Sequence, residues 1–325
     1  MRFVAMHRSA QCAGFILALS AGVAVAQAPA KVPAKVPPEA PAQVPAQAAP
    51  VAAPAQPSME TIAEKKDNLA GPYVPTPWEI VTEMLRMADI GPNDVVYDLG
   101  SGDGRLVITA AKRYGASGTG FELQDKLVAM ARKQAAEDGV AERAKFVQAD
   151  LFETDLSAAS VVTLYLLPRF TQRLVPKLRA ELKPGSRIVS HDYPLTPWPA
   201  DKVLSFDVPE KEMISGSTRT VLHYYVVPAR VGGTWELRLP PELGLPAGAT
   251  MSFVQTPEAV DARATLPGEP SQTVRDLYVR GERVRFALFA PRGRNAIFEG
   301  TVSDRQMAGE VVTPAGKRPW SATLK

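Results

Sequence analysis

The sequence has little cysteine, little histidine and no strong excess of charge of either sign. Its 325 residues include one cysteine, Cys12, and three histidines, and the formal net charge is +3. No disulfide partner, thiolate nucleophile or cysteine-based metal site is therefore expected. The net charge is too small to indicate a nucleic acid as partner. We accordingly predict no metal and no nucleic-acid ligand.

Residues 1–26 read as a secretory signal peptide. Arg2 and Arg8 make the start of the chain basic, and the apolar stretch 13–26 is too short to span a bilayer. This stretch ends in Ala-Val-Ala, a typical cleavage site. We predict cleavage after Ala26 and a secreted or periplasmic protein.

Residues 27–57 consist of Ala, Pro, Val and Gln repeats. Dense proline blocks helix and sheet, and few large apolar side chains are present to form a core. This segment is predicted to be a disordered linker. If translation started at Met59 instead, signal and linker would be absent and the protein would be cytoplasmic.

The stretch 95–105, VVYDLGSGDGR, carries the strongest motif of the chain. An apolar run typical of a buried strand ends in Asp98, glycines follow at 100, 102 and 104, and helical spacing begins after Arg105. A strand, a glycine-rich turn and a helix N-terminus together can hold a charged or nucleotide-like ligand. The spacing is Gly-x-Gly-x-Gly rather than Gly-x-Gly-x-x-Gly, which disfavours a dinucleotide-dependent oxidoreductase.

Two further carboxylates follow predicted strands. Glu122 ends the strand 118–122, one βαβ step after Asp98, where an acidic residue can accept ribose hydroxyls. A helix over 125–138 comes next, with Leu127, Met130, Ala131 and Gln134 on its inner face. Asp150 then follows a third strand around Phe146 and Val147.

The segment before the first strand contains Thr76-Pro77-Trp78-Glu79, which reads as a capping box with proline at the first helical position. We predict a helix from there to Gly91-Pro92. A lid over a ligand and a plain packing helix both fit this pattern.

The following segments complete a seven-stranded sheet. Strands are predicted over 160–168, 187–193, 202–208 and 218–229, with an amphipathic helix between the first two. Parallel sheets of this kind bind ligands at the carboxyl ends of their strands.

The glycine motif closely resembles motif I of the class I, seven-β-strand, S-adenosylmethionine (SAM) dependent methyltransferases. Residues 73–77, the acidic strand ends, the Leu-Tyr-Leu-Leu-Pro stretch and 189–192 are similar to one small family. That family contains the protein-lysine methyltransferases of the ATP synthase c-subunit and the adenine nucleotide translocase, with their bacterial relatives. The resemblance implies a Rossmann-like α/β fold and SAM as cofactor.

The resemblance also implies a cofactor site. The glycine loop would pack under the methionine part of SAM, Asp98 would anchor its amino group, and Asp150 with the backbone of the next residue would bind adenine. The predicted cofactor-binding residues are Tyr73, Thr76, Asp98, Gly100, Gly102, Gly104, Glu122, Asp150 and Leu151.

The expected activity is methyl transfer to an acceptor, a protein lysine by the resemblance, near a membrane. A small-molecule acceptor and a non-catalytic SAM-fold module that binds a partner stay open as alternatives. Tyr165, His191 and Asp192 are candidate catalytic residues that could face the transferred methyl, although His and Tyr in such strands also serve as core residues.

Residues 231–325 change to short runs of alternating apolar and polar residues without a helical stretch. Such alternation predicts a small antiparallel β domain, either a meander or a barrel. The domain organisation expected is therefore a methyltransferase domain over 59–230 followed by a β domain over 231–325. No cluster of catalytic residues stands out in the β domain, and its role stays open.

Overall fold

The computed structural model describes residues 73–290 and 294–325. The predicted signal peptide and linker lie outside the described residues. No helix within the described part of the chain is long and apolar enough to cross a membrane.

The first half of the described chain alternates strands and helices. Its strands are β1 (Val95–Leu99), β2 (Ser117–Glu122), β3 (Ala144–Gln148), β4 (Val161–Leu164), β5 (Arg187–His191), β6 (Lys202–Asp207) and β7 (Arg219–Val226). Its helices are α1 (Trp78–Met87), α2 (Arg105–Tyr114), α3 (Asp125–Glu137), α4 (Pro168–Glu181) and α5 (Pro209–Ser215).

These seven strands form one sheet in the order β3-β2-β1-β4-β5-β7-β6. Strands β1 to β5 run parallel, whereas β7 is antiparallel to both of its neighbours. Apolar side chains of α1 and α2 pack on one face, and those of α4 pack on the other. The predicted Rossmann-like sheet of seven strands is confirmed. Its strand order reverses between β1 and β4, the point where such sheets bind ligands.

Both predicted ends of the first helix are wrong. Helix α1 starts at Trp78, its N-cap is Pro77, and no side chain caps it, so Thr76 forms no capping box. Its last residue is Met87, well before Gly91, because Asp89 takes a left-handed backbone conformation with φ of 51°. Aspartate tolerates this conformation better than most residues and can end a helix without glycine.

The inner face of α3 was predicted only in part. Leu127 and Ala131 are buried as expected, but Met130 and Gln134 are exposed. Val147 is also exposed, because β3 is the edge strand of the sheet. The sequence analysis missed α5 altogether, since a seven-residue helix is too short to show a periodic pattern.

The second half of the described chain is almost entirely β structure, apart from a 3₁₀ turn at Pro241–Leu243. Its strands are β8 (Gly233–Arg238), β9 (Thr250–Gln255), β10 (Val260–Thr265), β11 (Gln272–Thr273), β12 (Arg275–Arg280), β13 (Arg283–Ala290), β14 (Arg294–Ser303), β15 (Gln306–Thr313) and β16 (Gly316–Leu324).

These nine strands form an antiparallel sheet in the order β11-β10-β9-β8-β16-β15-β14-β13-β12. The sheet curls until its ends meet, because the side chain of Gln272 in β11 bonds both backbone groups of Phe289 in β13. Apolar side chains from most of the strands form one core inside it. The predicted antiparallel β structure is confirmed, and its form is close to a barrel.

Candidate cofactor and acceptor site

A cavity of about 270 Å³ opens at the carboxyl ends of the parallel strands. In the sheet, β2 and β3 lie on one side of β1, whereas β4 and β5 lie on its other side. The cavity therefore has two ends and a floor between them. The floor consists of the glycine loop and the segment before α1. It is formed by Tyr73, Val74, Pro75, Thr76, Asp98, Gly100, Ser101, Gly102, Asp103, Arg105 and Leu106.

The first end, the β2–β3 wall, follows β2 and β3. It comprises Phe121, Glu122, Leu123, Gln124, Leu127, Ala149 and Leu151. The second end, which we call the tyrosine wall, follows β4 and β5 and includes part of α5. It comprises Tyr165, Leu166, Leu167, Tyr193, Ile214 and Ser215.

The glycine loop needs glycine at position 102. Gly102 has φ of 53°, and a Cβ atom there would lie 2.5 Å from the Tyr73 ring. The tyrosine therefore lies directly on the loop backbone, which a side chain at position 102 would prevent. Gly100 and Gly102 line the cavity as predicted.

Gly104 has a different role. It is the N-cap of α2 with φ of 81°, and a Cβ atom there would lie 2.5 Å from the Phe146 ring and 2.8 Å from the Ala131 Cβ. Gly104 thus allows the helix to approach the sheet and α3. It is not among the residues that line the cavity.

Asp98 is a buried carboxylate on the floor of the cavity. The Thr163 hydroxyl donates to its Oδ1 at 2.7 Å. Burial, opposed by the Thr163 bond and aided by the nearby Asp103 and Glu122 carboxylates, raises the pKa of Asp98 to about 7. A cationic group bound beside Asp98 would restore its negative charge.

Glu122 is held by backbone donors at the end of β2. Its Oε2 accepts from the Gly102 N–H at 3.0 Å, and its Oε1 accepts from the N–H groups of Leu123 and Gln124 at 2.9 and 3.0 Å. The carboxylate therefore fixes the glycine loop to the end of β2. It also lines the cavity, and its contact with a ribose stays a prediction.

Asp150 lies just outside the cavity. Its Oδ1 accepts from the Phe152 N–H at 2.8 Å, which forms a tight turn after β3. The residues on both sides of it, Ala149 and Leu151, do line the cavity. Contact of Asp150 with adenine stays a prediction.

The segment Tyr73–Thr76 is fastened to the glycine loop. Arg105 donates to the Thr76 carbonyl at 2.6 Å and binds the Asp103 carboxylate through its Nε and Nη2. Its guanidinium also lies 4.9 Å from the centre of the Trp78 ring. The segment is therefore a fixed part of the cavity floor rather than a lid, and helix α1 after it packs on the sheet. Thr76, buried, lines the cavity as predicted.

The three candidate catalytic residues form a cluster, but only Tyr165 reaches the cavity. His191 is fully buried behind it, with ring centroids 3.9 Å apart and an interplanar angle of 29°. Burial lowers the pKa of His191 to about 4, so the ring is neutral near pH 7. Among the residues that the structure describes, neither ring nitrogen has a hydrogen-bond partner, and Nε2 lies 3.5 Å from Asp192 Oδ1. Asp192 binds Lys211 on α5.

Sequence reasoning missed several residues of the cavity. Asp103 and Arg105 lie within the glycine motif and could have been read as an ion pair that stiffens the loop. Tyr193 directly follows the predicted candidates His191 and Asp192. Ile214 and Ser215 had no signal, because the helix that carries them was not predicted.

The cavity fits SAM by its chemistry. The methionine part of SAM carries an ammonium and a carboxylate and is joined to the nucleoside by the sulfonium. For the ammonium the floor offers the buried Asp98 carboxylate, and at Gly100 and Gly102 a ligand can approach the backbone closely. The nucleoside has an apolar base and a ribose, and the β2–β3 wall offers Phe121, Leu127 and the Glu122 carboxylate. The volume is close to the lower limit for small-molecule sites.

Comparison with known proteins agrees with this assignment. The family model described as the ANTKMT methyltransferase domain matches residues 98–202. A protein-lysine N-methyltransferase of Saccharolobus islandicus is 40% identical over 157 residues, which cover 48% of this chain and 93% of that protein. The human lysine N-methyltransferase of the ATP synthase c-subunit is 35% identical over 132 residues, 41% of this chain and 56% of that enzyme.

A solved structure is also similar in sequence. It is the RNA methyltransferase of Salinibacter ruber in complex with S-adenosyl-L-homocysteine, 45% identical, with a TM-score of 0.44 over 49% of this chain and 96% of that chain. The chain thus spans nearly the whole of the Saccharolobus relative and about half of the human one.

Substantial identity over almost the full length of the Saccharolobus relative is decisive, and the cavity holds the groups that SAM requires. The protein is a SAM-dependent methyltransferase, and it belongs to the family that includes these protein-lysine N-methyltransferases.

Proposed function

We propose that this methyltransferase transfers the methyl group of SAM to the ε-amine of a lysine in a protein. The observation that carries the proposal is the chemistry of the tyrosine wall, which contains two tyrosines and no charged side chain. The names of the relatives support it, since the Saccharolobus and human proteins are both described as lysine methyltransferases.

Bound SAM supplies an activated methyl group on a sulfonium, so the enzyme needs mainly to align the acceptor and to exclude water. Asp98 and the glycine loop would hold the methionine end, and Glu122 would accept from the ribose. The tyrosine wall, at the other end of the cavity, would then receive the acceptor.

A lysine acceptor must be neutral to act as a nucleophile. With a reference pKa of about 10.4, removing its proton at pH 7 costs roughly 4–5 kcal/mol. An uncharged wall lowers the pKa of an entering lysine by desolvation, which offsets part of this cost. Tyr165 serves as lining rather than as a base that takes the proton. Its pKa is raised by burial and by the Asp192 charge.

We also propose that the protein acts outside the cytoplasm, near a membrane. The basic start, the short apolar stretch and the cleavage site within residues 1–26 support export, and the proline-rich residues 27–57 would give the domain reach. Mass spectrometry of the N-terminus in the native host should find a chain that begins after Ala26. A chain that begins at Met1 or Met59 would contradict the export proposal.

The acceptor is tested by incubating the purified protein with radiolabelled SAM and an envelope extract from its host. Label should appear in protein, withstand ribonuclease, and map to lysine by peptide sequencing. Asp98→Asn, which should bind SAM much more weakly, is the control for label transferred by contaminants when the SAM concentration is kept below the Kd of the variant. Label confined to small molecules, to RNA or to residues other than lysine would end the lysine proposal, while the methyltransferase assignment would stand.

A further inference from the structure

Lys211 is an unusual anchor for a short helix. It is the buried residue of α5, with 3% of its surface exposed, although a lysine is rarely buried unless it is paired. Its Nζ lies 2.7 Å from Asp192 Oδ2 and 2.9 Å from Asp192 Oδ1, and it also donates to the Arg219 carbonyl. The ammonium is therefore fully paired inside the protein.

The stability of the fold does not explain why this ion pair is taken out of water. Removing two charges from water costs about as much as their attraction returns, and apolar replacements of similar size are often neutral or stabilising. If Asp192 were also replaced by an uncharged residue, a leucine or methionine at position 211 would hold α5 against the sheet equally well. We therefore look for a role of the Lys211 charge other than stability, and the position of its partner Asp192 indicates one.

Asp192 connects strand β5 to the tyrosine wall. It has φ of 59°, which turns the chain from His191 at the end of β5 toward Tyr193 in the cavity. Its backbone N–H donates to the Val221 carbonyl at 2.7 Å, and its Oδ1 accepts from the Val221 N–H at 3.2 Å. The Asp192 side chain is only 19% exposed, and the Lys211 ammonium compensates for the water that the carboxylate has lost.

Asp192 also fixes the second tyrosine. The Tyr165 ring stacks on His191, the residue before Asp192, and the Asp192 charge acts on the Tyr165 hydroxyl. This one carboxylate, 19% exposed, thus contacts or adjoins all three parts of the tyrosine wall: the end of β4, the turn after β5, and α5 with Ile214 and Ser215.

We propose that Lys211 is a positioning residue for methyl transfer, whose ammonium, by binding Asp192, holds the tyrosine wall in the geometry that receives the acceptor. Lys211 itself does not line the cavity and does not touch the reacting atoms. It lies beyond residues 98–202, the part that the family model matches. The inference rests on the proposed function only for the identity of the acceptor.

The test compares Lys211→Met, Asp192→Asn and the double variant Asp192→Asn/Lys211→Met. Each single variant leaves one charge of the pair without its partner and should lower the melting temperature, whereas the double variant removes both charges and should recover it. Transfer should behave differently. In all three variants kcat/KM for the acceptor should fall by about tenfold or more, while the Kd for SAM stays within about twofold of the wild type.

A double variant that regains both stability and transfer would overturn the proposal, because the pair would then serve only the fold. Loss of SAM binding in step with transfer would overturn it as well. Lys177→Met is the matched control. Lys177 pairs with Glu181 at 2.7 Å on α4, away from the cavity, and its loss should leave transfer unchanged.

A second measurement does not depend on the acceptor. Amide hydrogen exchange of the SAM-bound protein should become faster over 209–216 in Lys211→Met and stay unchanged there in Lys177→Met. Unchanged exchange in both variants would refute the positioning role. If wild-type protein methylates nothing while this exchange difference appears, the proposed function fails and the inference about the wall survives.

Discussion

The two sheets of this protein bury very different side chains. Among the residues that the structure describes, the first sheet with its helices buries polar and charged groups that include Asp98, Glu122, His191 and Lys211. In the nine-stranded sheet, Thr313 is the one buried polar residue of the described part. Its core is apolar throughout, with the rings of Phe286, Phe298 and Trp320 in mutual contact.

The difference shows how binding and stability are divided between the sheets. Parallel strands all end at one edge, where loops bring carboxylates and backbone donors together, and a cofactor needs those groups buried. Each buried charge costs free energy that the local fold must offset. The antiparallel sheet has no such edge and is filled with side chains that pack well. Binding should therefore fail through changes in the first sheet and stability through changes in the second.

The largest expected effect lies in the core of the second sheet. Phe286 is fully buried, and its ring centre lies 4.8 Å from that of Phe298 and 5.1 Å from that of Trp320. Phe286→Ala should lower the free energy of unfolding by about 3–5 kcal/mol because it leaves a cavity. Denaturant titration measures this loss. Calorimetry at low temperature should show the same affinity for SAM as in the wild type.

Phe289→Ala is the control on the same strand. Phe289 is 56% exposed, so the same substitution should cost less than about 1 kcal/mol. If Phe286→Ala weakened SAM binding tenfold while the protein stayed folded, the proposed division between the sheets would be wrong.

The next effect concerns a charge in the first sheet. Asp98→Asn keeps the shape of the side chain and its bond with Thr163 but removes the charge that would face the ligand's ammonium. The affinity for SAM should fall by about 1.5–3 kcal/mol, the usual contribution of a hydrogen bond to a charged group. The melting temperature of the free protein should not fall, because a buried carboxylate with a raised pKa is itself destabilising.

Asp207→Asn provides the comparison for this variant. Asp207 belongs to β6 of the same sheet, is exposed, and bonds the Thr218 hydroxyl. It should change neither SAM affinity nor stability. A large drop in melting temperature for Asp98→Asn would show that Asp98 serves the fold instead of the ligand.

The smallest effect is a pH dependence that arises from the same carboxyl. Since burial raises the pKa of Asp98 to about 7, the free protein holds a proton that the unfolded chain, with a pKa near 3.8, has lost. Stability of the free protein should therefore fall as pH rises from about 4 to 7. A cationic ligand favours the ionised form, so SAM affinity should rise over the same range.

The measurement is calorimetry between about pH 5.5 and 7.0, where the amino group of SAM stays protonated. Affinity should increase by up to about tenfold per pH unit in the wild type. In Asp98→Asn the profile should be flat. An equal slope in both proteins would assign the pH dependence to another group.

The first sheet, and the two carboxylates that line its cavity, could be predicted because the end of a parallel strand is visible in the sequence as the end of an apolar run. A run of buried residues that stops at Asp98 or at Glu122 places that carboxylate at the binding edge, whatever the rest of the fold does. The alternation after residue 231 likewise predicted antiparallel strands. Neither inference requires knowledge of contacts between distant residues.

The parts that the sequence did not predict depend on such contacts. Pro77 became the N-cap of α1, because Thr76 turns to the cavity and its carbonyl binds Arg105, 29 residues away in sequence. In the sequence, Lys211 lies in a charged segment and resembles a surface residue. Only the folded structure places Asp192 beside it. Asp150 was predicted from its position after a strand, and its carboxylate bonds the Phe152 N–H of its own turn.

Strand β16 lies in the middle of the nine-stranded sheet, between β8 and β15. Strand β8 is the first of the nine to be synthesised. Strand β16, whose Ser321 pairs with Arg238 of β8, is the last. During translation, β8, β9 and β10 can pair with one another, and β12 to β15 can form a meander. Until β16 is present, however, β8 lacks its neighbouring strand on one side. Pairing of strands so distant in sequence is slow and leaves edges open to aggregation. The folding of this half of the molecule is therefore completed only once residues 316–324 have left the ribosome.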